Sequence, residues 1–384
     1  MYIVKFLKII KKIFSSKLIF KNPEPKSVLF WGRPRHSTTF QKKNEFVDFK
    51  DINFLDVWGE SYYFNILIKC FFKLKFTLKD YSEEFIKITN PKLIISFLDN
   101  YETFYLIKKK ASQKKILIQS AFRTGEDIVF KKNASYTNKD NKVDYIFTHN
   151  KNIKNKFQTL LKCKNYTIGS LFCNNVPVQK NKKIFDVLFI STFRPDNDFQ
   201  ISKGVYLSDW LCAEKELIQH IYKFTKKNKK KLFILTSNKK DQKKELNFFK
   251  DALGDDKSYK ILKRNIYDMS EPYKIVDQSK IVTGIDSTLL YESFGRGTKT
   301  IFFDIRPSNK FLSRNRHFGW PKKYPRSGTF WTNENKFVSV SNIMNRMMNF
   351  KKKKWDKIKI KYQDDIMAYN SNNKILKDFL NSFK

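Results

Sequence analysis

The sequence predicts an α/β protein made of two doubly wound halves, each a parallel sheet flanked by helices, with a helical C-terminal tail. Three observations carry this reading. Short apolar runs alternate with stretches of helical periodicity, the pattern of βαβ units. The alternation stops at a polar connector around 174–183, which contains Pro177, and then starts afresh. A chain of 384 residues that is 41% hydrophobic has enough apolar material for two cores of ordinary size.

In the first half, SVLFW (27–31) runs into Gly32, Arg33 and Pro34 and reads as a buried strand ending in a loop. NFLDVWGES (53–61) repeats the pattern, and a helical stretch follows over 62–74. Pro91 introduces the strand KLIISFLDN (92–100), with a helix after it to about 110. KKILIQSAFR (114–123) and VDYIFTHN (143–150) are further strand-and-loop units, a helix spans 153–161, and NYTIGS (165–170) closes the series. In the second half, FDVLFIST (185–192), KLFILTSN (231–238), YKILK (259–263), KIVTGIDS (280–287) and KTIFFD (299–304) are strands. Helices are expected over 208–227, 242–253, part of 266–279 and from 288. Residues 334–384 read as helical and basic. The chain thus divides into a basic N-terminal segment (1–25), a first α/β domain (26–175), a linker (176–184), a second α/β domain (185–345) and C-terminal helices (346–384).

Lysine and arginine number 77 against 37 aspartates and glutamates, a net charge of +40. Such a charge points to an anionic partner. The abundance of Lys, Asn, Ile and Phe also fits a coding bias toward A and T, so charge alone does not choose the partner. The four cysteines, Cys70, Cys163, Cys173 and Cys212, lack the close spacing of a zinc or redox site and fit reduced thiols in a cytoplasmic protein. No apolar run reaches the roughly 18 residues of a membrane-spanning helix. Residues 1–21, MYIVKFLKIIKKIFSSKLIFK, interleave apolar residues with lysines and read as an interfacial helix, with an anionic membrane surface as candidate partner. A docking helix is the competing reading. The sequence has no P-loop, dinucleotide fingerprint, serine-hydrolase elbow or kinase motif set, and no recognisable nucleic-acid-binding module.

Ligands of doubly wound sheets bind beyond the carboxyl ends of the strands, so chemistry is sought where strands end. VTGIDSTLLYESFGRGTKTIFFD (282–304) is the richest such place. Its strand runs into Gly284, Ser287 fits an N-cap, and Thr288 opens the helix. A helix N-terminus suits a phosphate, and Glu292, one turn on, suits two vicinal ribose hydroxyls. An ordinary capped helix with a surface glutamate explains the same spacing. In the first half, Asp99 ends a strand and is a candidate general base, with a helix-capping role as the alternative reading, and Glu60 is the runner-up. Arg123 could meet a donor phosphate or an anionic sugar. Ser191, Thr192 and Arg194 are candidate phosphate contacts. No cluster suggests a metal or another cofactor.

The 282–304 segment resembles the nucleotide-binding element of GT-B glycosyltransferases. FGWPKKYPRSGTFWTNENKF (318–337), after GIDSTLLYESFGRG, resembles bacterial surface carbohydrate biosynthesis proteins, which are distantly similar to capsule and lipopolysaccharide Kdo transferases. FLDVWGES, FLDN and ILIQSAFR are similar to that family's strand ends, so the resemblance covers nearly everything after residue 26. It implies a GT-B fold, two Rossmann-like domains facing a cleft, with the acceptor in the first and a nucleotide-sugar donor in the second. It implies an inverting, metal-independent glycosyltransferase acting on a glycan or lipid-linked acceptor at the inner face of the membrane. A CMP-linked acidic sugar is favoured as donor, and uridine or guanosine diphosphate sugars stay open. Where the family pattern has Gln-Asn-Gly or Gln-His-Gly before Arg123, this chain has Ser120 and Ala121, which excludes a catalytic histidine in that loop. A CDP-polyol phosphotransferase of teichoic-acid type would need such a histidine. A non-catalytic basic protein binding membrane or nucleic acid is the third reading. Strand-end clusters in both halves argue against it.

Overall fold

The structure, a computed structural model, describes residues 13, 15–32, 52–123, 143–179, 182–194, 200–202, 205–237, 242–265, 268–306 and 317–383. Arg33 and most of the 1–21 segment lie outside these residues. The first half consists of β1 (Lys17–Ile19), β2 (Val28–Gly32), β3 (Ile52–Asp56), β4 (Ser61–Tyr63), α1 (Phe64–Phe72), α2 (Leu78–Thr89), β5 (Leu93–Ser96), α3 (Glu102–Leu106), β6 (Lys114–Ile118), β7 (Tyr145–Thr148), α4 (Lys151–Leu160), β8 (Lys164–Thr167) and α5 (Leu171–Asn174). Six of its strands form one parallel sheet in the order β3-β2-β5-β6-β7-β8. Local chemistry sets the helix limits. Thr77 and Asp80 form a reciprocal capping box at the start of α2, and Asn90 ends it in the left-handed conformation just before Pro91. Asn150 caps α4 by accepting the Ile153 N–H.

The second half consists of β9 (Phe185–Ile190), β10 (Gln200–Ser202), β11 (Val205–Tyr206), α6 (Leu207–Lys227), β12 (Leu232–Leu235), α7 (Gln242–Leu253), β13 (Tyr259–Leu262), α8 (Glu271–Asp277), β14 (Ser279–Gly284), α9 (Thr288–Arg296), β15 (Thr300–Phe303) and β16 (Trp331–Thr332). Its parallel sheet runs β13-β12-β9-β14-β15-β16, so the order reverses between β9 and β14. Central strands such as β15 are buried along their whole length, as two-sided sheets require. Gly284 is needed for the close pairing there: a Cβ would stand 3.0 Å from the Ile190 carbonyl oxygen.

The tail crosses back. α10 (Phe337–Asn349) packs on α6, and α11 (Lys352–Ile366) lies between α9 and α4. α12 (Lys374–Asn381) places Leu376 and Leu380 in the core under the first sheet, beside Val28, Phe30 and Ile116. Trp320, in the 317–324 turn region, likewise enters a first-half core. The short strands β1, β4, β10, β11 and β16 were not legible as strands. The expected interfacial helix over 1–21 is corrected at its end, where Lys17–Ile19 is a strand paired in parallel with β4. Residues 1–12 and 14 lie outside the described residues.

One buried ion pair joins these parts. The Arg296 guanidinium meets Asp277 through Nε at 2.9 Å and through Nη2, with both side chains almost fully buried. It also donates to the carbonyls of Cys173, at the end of the first domain, and of Val176 and Pro177, which begin the linker. Asp277 additionally accepts the Gln179 N–H at 2.8 Å. Replacing Arg296 with methionine leaves Asp277 charged and unpaired in the interior. A stability loss of about 3–5 kcal/mol is expected in urea unfolding, with partial recovery on adding Asp277→Leu. A single variant within 1 kcal/mol of the parent, roughly the worth of a surface pair, would refute the role assigned to this pair.

Candidate functional site

At the reversal point of the second sheet, the ends of β9 and β14 flank the start of α9. Ser287 is the N-cap residue, and its hydroxyl makes no capping bond. The first-turn amides of a helix have no intrahelical acceptor, so this end is chemically suited to an anion. Around it lies a charged network. Arg306 donates to Asp286 Oδ2 at 3.0 Å and to Thr192 Oγ1 at 2.6 Å, and its guanidinium lies 4.2 Å from the Trp210 ring. Glu214, fully buried on α6, accepts from the Thr192 N–H and hydroxyl and from Ser191 Oγ at 3.4 Å. Burial holds the Glu214 carboxyl above its ordinary range, against the opposing pull of Arg306. Asp304, at the end of β15, accepts the Phe318 N–H at 2.7 Å. Burial pushes its carboxyl up to about 7, partly offset by that bond, and the neighbouring Asp286 adds to the rise.

The first half presents a second cluster. Asp99 accepts from Arg123 through both oxygens, at 3.0 Å from Nε and 2.6 Å from Nη2. Gln119 fixes the loop between them and β7: its Oε1 accepts the His149 N–H, and its Nε2 donates to the Ala121 carbonyl. Both His149 ring nitrogens are buried without a hydrogen-bond partner. Burial, with Arg123 nearby, lowers the His149 imidazole to about 3, so it is neutral at physiological pH. Phe122 stacks on Tyr291 of α9 at 3.5 Å between ring centroids and faces His149 at 6.3 Å on nearly parallel planes. The Phe122 N–H donates to Thr288 Oγ1 at 3.2 Å. The first-half loop therefore touches the start of α9 directly.

The sequence-predicted residues separate accordingly. Asp99 and Arg123 come together, as a bidentate pair. Thr288 faces the first half through Phe122. Glu292 is buried, accepts a hydrogen bond from Ser170, and is also hydrogen-bonded to Tyr273. Burial raises its carboxyl despite those bonds. Ser191 and Thr192 are engaged by Glu214 and Arg306. Arg194 is exposed on the following loop, and Gly284 packs two strands. Glu60 is exposed on the turn after β3, whose shape is set by Asp56 accepting the N–H groups of Trp58, Glu60 and Ser61. Among the described residues, no three His, Cys, Asp or Glu side chains converge as a metal site.

Sequence reading missed Glu214, Asp286, Arg306, Asp304 and His149. Glu214 left a trace: it interrupts the apolar stripe Trp210, Leu217, Ile218, Ile221 on one face of α6. Asp286, Asp304 and Arg306 follow strand ends and were open to the same rule that selected Ser287. His149 gave no signal beyond its position after β7.

Two facing Rossmann-like sheets with a tail that returns to the first define the GT-B fold. Among solved structures, UDP-GlcNAc 2-epimerase of Methanocaldococcus jannaschii, in complex with UDP-GlcNAc and UDP, superposes with a TM-score of 0.53 at 12% identity, over 92% of this chain and 99% of that one. The S. aureus MnaA–UDP co-structure gives 0.52 at 11%, over 94% and 96%. The wall teichoic acid polymerase TagF gives 0.49 at 11%, over 94% and 89%. At such identities the likeness is one of fold. No curated protein sequence matches the chain significantly. The chain belongs to the family described as "putative O-antigen biosynthesis protein", whose profile matches residues 116–384. The expected kinship with bacterial surface carbohydrate proteins of GT-B architecture is thereby borne out.

The Asp304 carboxyl gives a pH prediction. Its folded value, about 7, lies above the ordinary 3.8. Its stabilising contribution is therefore complete below about pH 4 and is lost as pH rises through 7. Urea unfolding across that window should show parental stability declining relative to Asp304→Asn, by up to roughly 1.4 kcal/mol per pH unit. Parallel curves for the two proteins would refute the assignment.

Proposed function

We propose that this chain is a glycosyltransferase that moves a sugar from a nucleotide-sugar donor to a growing surface polysaccharide or a lipid-linked acceptor at the membrane face. The observation that carries this reading is the start of α9: a helix N-terminus whose Ser287 hydroxyl makes no capping bond, at the strand-order reversal of one sheet, touched through Phe122 by the loop of the other sheet that carries Arg123 of the Asp99–Arg123 pair. The family's description and the UDP ligands named for the two fold neighbours support it. The donor diphosphate or phosphate would lie against the first-turn amides, Ser287 and Thr288, with Arg194 and Arg123 as cationic contacts. Leaving-group charge develops there, and fixed amides and guanidinium groups stabilise it without reorganising. Asp99 is the proposed base, with Glu60 as runner-up. Both Asp99 oxygens accept from Arg123 and the side chain is buried, so the acceptor hydroxyl has to reach one of the lone pairs that Arg123 leaves open. A donor phosphate drawing that guanidinium away would couple donor binding to activation of the acceptor.

Glu292 is the proposed ribose partner, and its present bonds to Ser170 and Tyr273 would have to give way. A thermal-shift screen with CMP, CDP, UDP and GDP tests the donor site; stabilisation by none of them would overturn the reading. Glu292→Ala should weaken the stabilising nucleotide in calorimetry by roughly 1.5–3 kcal/mol. Unchanged affinity with a lowered melting temperature would assign Glu292 to the joint between the halves alone.

Turnover separates the two candidate bases. Asp99→Asn should retain nucleotide affinity and lose on the order of 10²–10⁴ in rate. Full activity in Asp99→Asn with loss in Glu60→Gln would reverse the ranking.

A further inference from the structure

Helix α1 has the sequence FNILIKCFF, apolar except for Asn65 and Lys69. Asn65 and Lys69, one turn apart, make a single polar edge, and the apolar faces of a helix beside such an edge are normally buried. This one buries only Ile66 and Cys70. On its outer side Ile68 is 37% exposed, Phe71 56% and Phe72 80%. Leu74, two residues past the helix end, is 78% exposed. Phe20, 67% exposed, extends the face at the other end, with its ring 5.1 Å from that of Phe64.

The helix end makes this exposure structurally specific. The Lys75 N–H reaches back to the Cys70 carbonyl and the Leu74 N–H to that of Phe71, a closure that turns the chain sharply. Leu74 occupies its left-handed position, with φ of 53°, where glycine is the usual residue. A leucine there is backbone-strained and, in this protein, projects into solvent.

The charge contributed by the helix and its closing turn is of one sign. No acidic residue occurs between Glu60 and Asp80, while Lys69, Lys73 and Lys75 surround Phe71, Phe72 and Leu74. Lys73 is paired with Glu84, and Lys69 and Lys75 are exposed. Lys17 and Lys21 flank Phe20 at the far end. Apolar side chains raised on a ring of lysines match a bilayer with anionic headgroups, which takes the rings into its acyl boundary and the ammonium groups at its phosphates.

We propose that the Ile68–Phe71–Phe72–Leu74 face of α1, with Lys69 and Lys75, is the surface by which this protein sits on an anionic lipid bilayer. It deepens the membrane-face element of the proposed function, but its test needs no catalysis. Vesicle flotation of the full chain should show binding to phosphatidylcholine vesicles containing phosphatidylglycerol, and weaker binding without it. The triple variant Phe71→Ser/Phe72→Ser/Leu74→Ser should lose binding about tenfold or more at low and high salt alike. Lys69→Ala/Lys75→Ala should lose it mainly on the anionic vesicles at low salt. Phe72→Cys in a Cys212→Ser background, carrying an environment-sensitive dye, should shift to the blue when vesicles are added. That readout decides the matter even if the triple variant folds poorly. Absence of parental binding, parental binding by a folded triple variant, or no dye shift would each overturn the proposal. So would a parental dimer that the triple variant breaks while vesicle binding stays intact, since the face would then serve a second copy of the chain.

Discussion

Arg296 lies inside the protein with its guanidinium hydrogen-bonded on several sides: to both oxygens of Asp277 and to three carbonyls of the segment that leads out of the first domain. Its planar face lies against Tyr273 at 5.2 Å. Arginine suits this position because its fork of donors is rigid and weakly hydrated for a cation, so burial leaves few of its hydrogen bonds unmade. Those bonds fix where the linker begins relative to α8 and α9, and hence how the first sheet meets the second. The neighbouring Gly295 serves the same joint, since a Cβ there would stand 2.9 Å from Met367 Cγ, on the returning tail.

Helix α9 consequently has two roles on one short element. Thr288, Tyr291, Glu292, Gly295 and Arg296 recur at helical spacing and form a stripe that meets Phe122, Ser170, the tail and the linker. Its N-terminus, at the strand-order reversal, is the end suited to an anion. A ligand arriving there meets a helix whose side is held by the other domain, so binding at the end and the packing of the halves are physically linked.

The strand-end loops around this helix are shaped by internal carboxylates. Glu214 holds Ser191 and Thr192, Glu245 holds the Ser237 N–H, and Asp56 gathers three N–H groups after β3. Amides that could have cradled a phosphate are thereby satisfied within the protein. This narrows the candidate anion contacts to the start of α9 and to arginines that lie outside or can leave such networks. Ser191 and Thr192, candidates by strand-end position, have Glu214 and Arg306 as partners that the rule does not foresee, since it locates the rim of a sheet but not the acceptors supplied to it by a distant helix.

The sequence by itself determined the two parallel sheets, because two-sided burial demands continuous apolar runs such as VLFWG and TIFF. It determined the Ser287–Thr288 helix start through the strand–turn–helix pattern, although the Ser287 hydroxyl makes no capping bond. Residues 282–304, through their resemblance, pointed to the GT-B class, and residues 318–337 to surface carbohydrate biosynthesis proteins. Tertiary structure alone decided what depends on contacts between residues far apart in the chain. Arg296 finds Asp277, Arg123 closes on Asp99, and Glu292 meets Ser170 across the domain joint. Lys17–Ile19 becomes a strand because β4 offers it an edge, a pairing stronger than the local alternation of apolar and basic residues. The apolar outer face of α1 belongs to the same category. Its composition was plain in the sequence, yet which side stayed uncovered was settled only when Ile66 and Cys70 packed inward and left Phe71, Phe72 and Leu74 largely exposed.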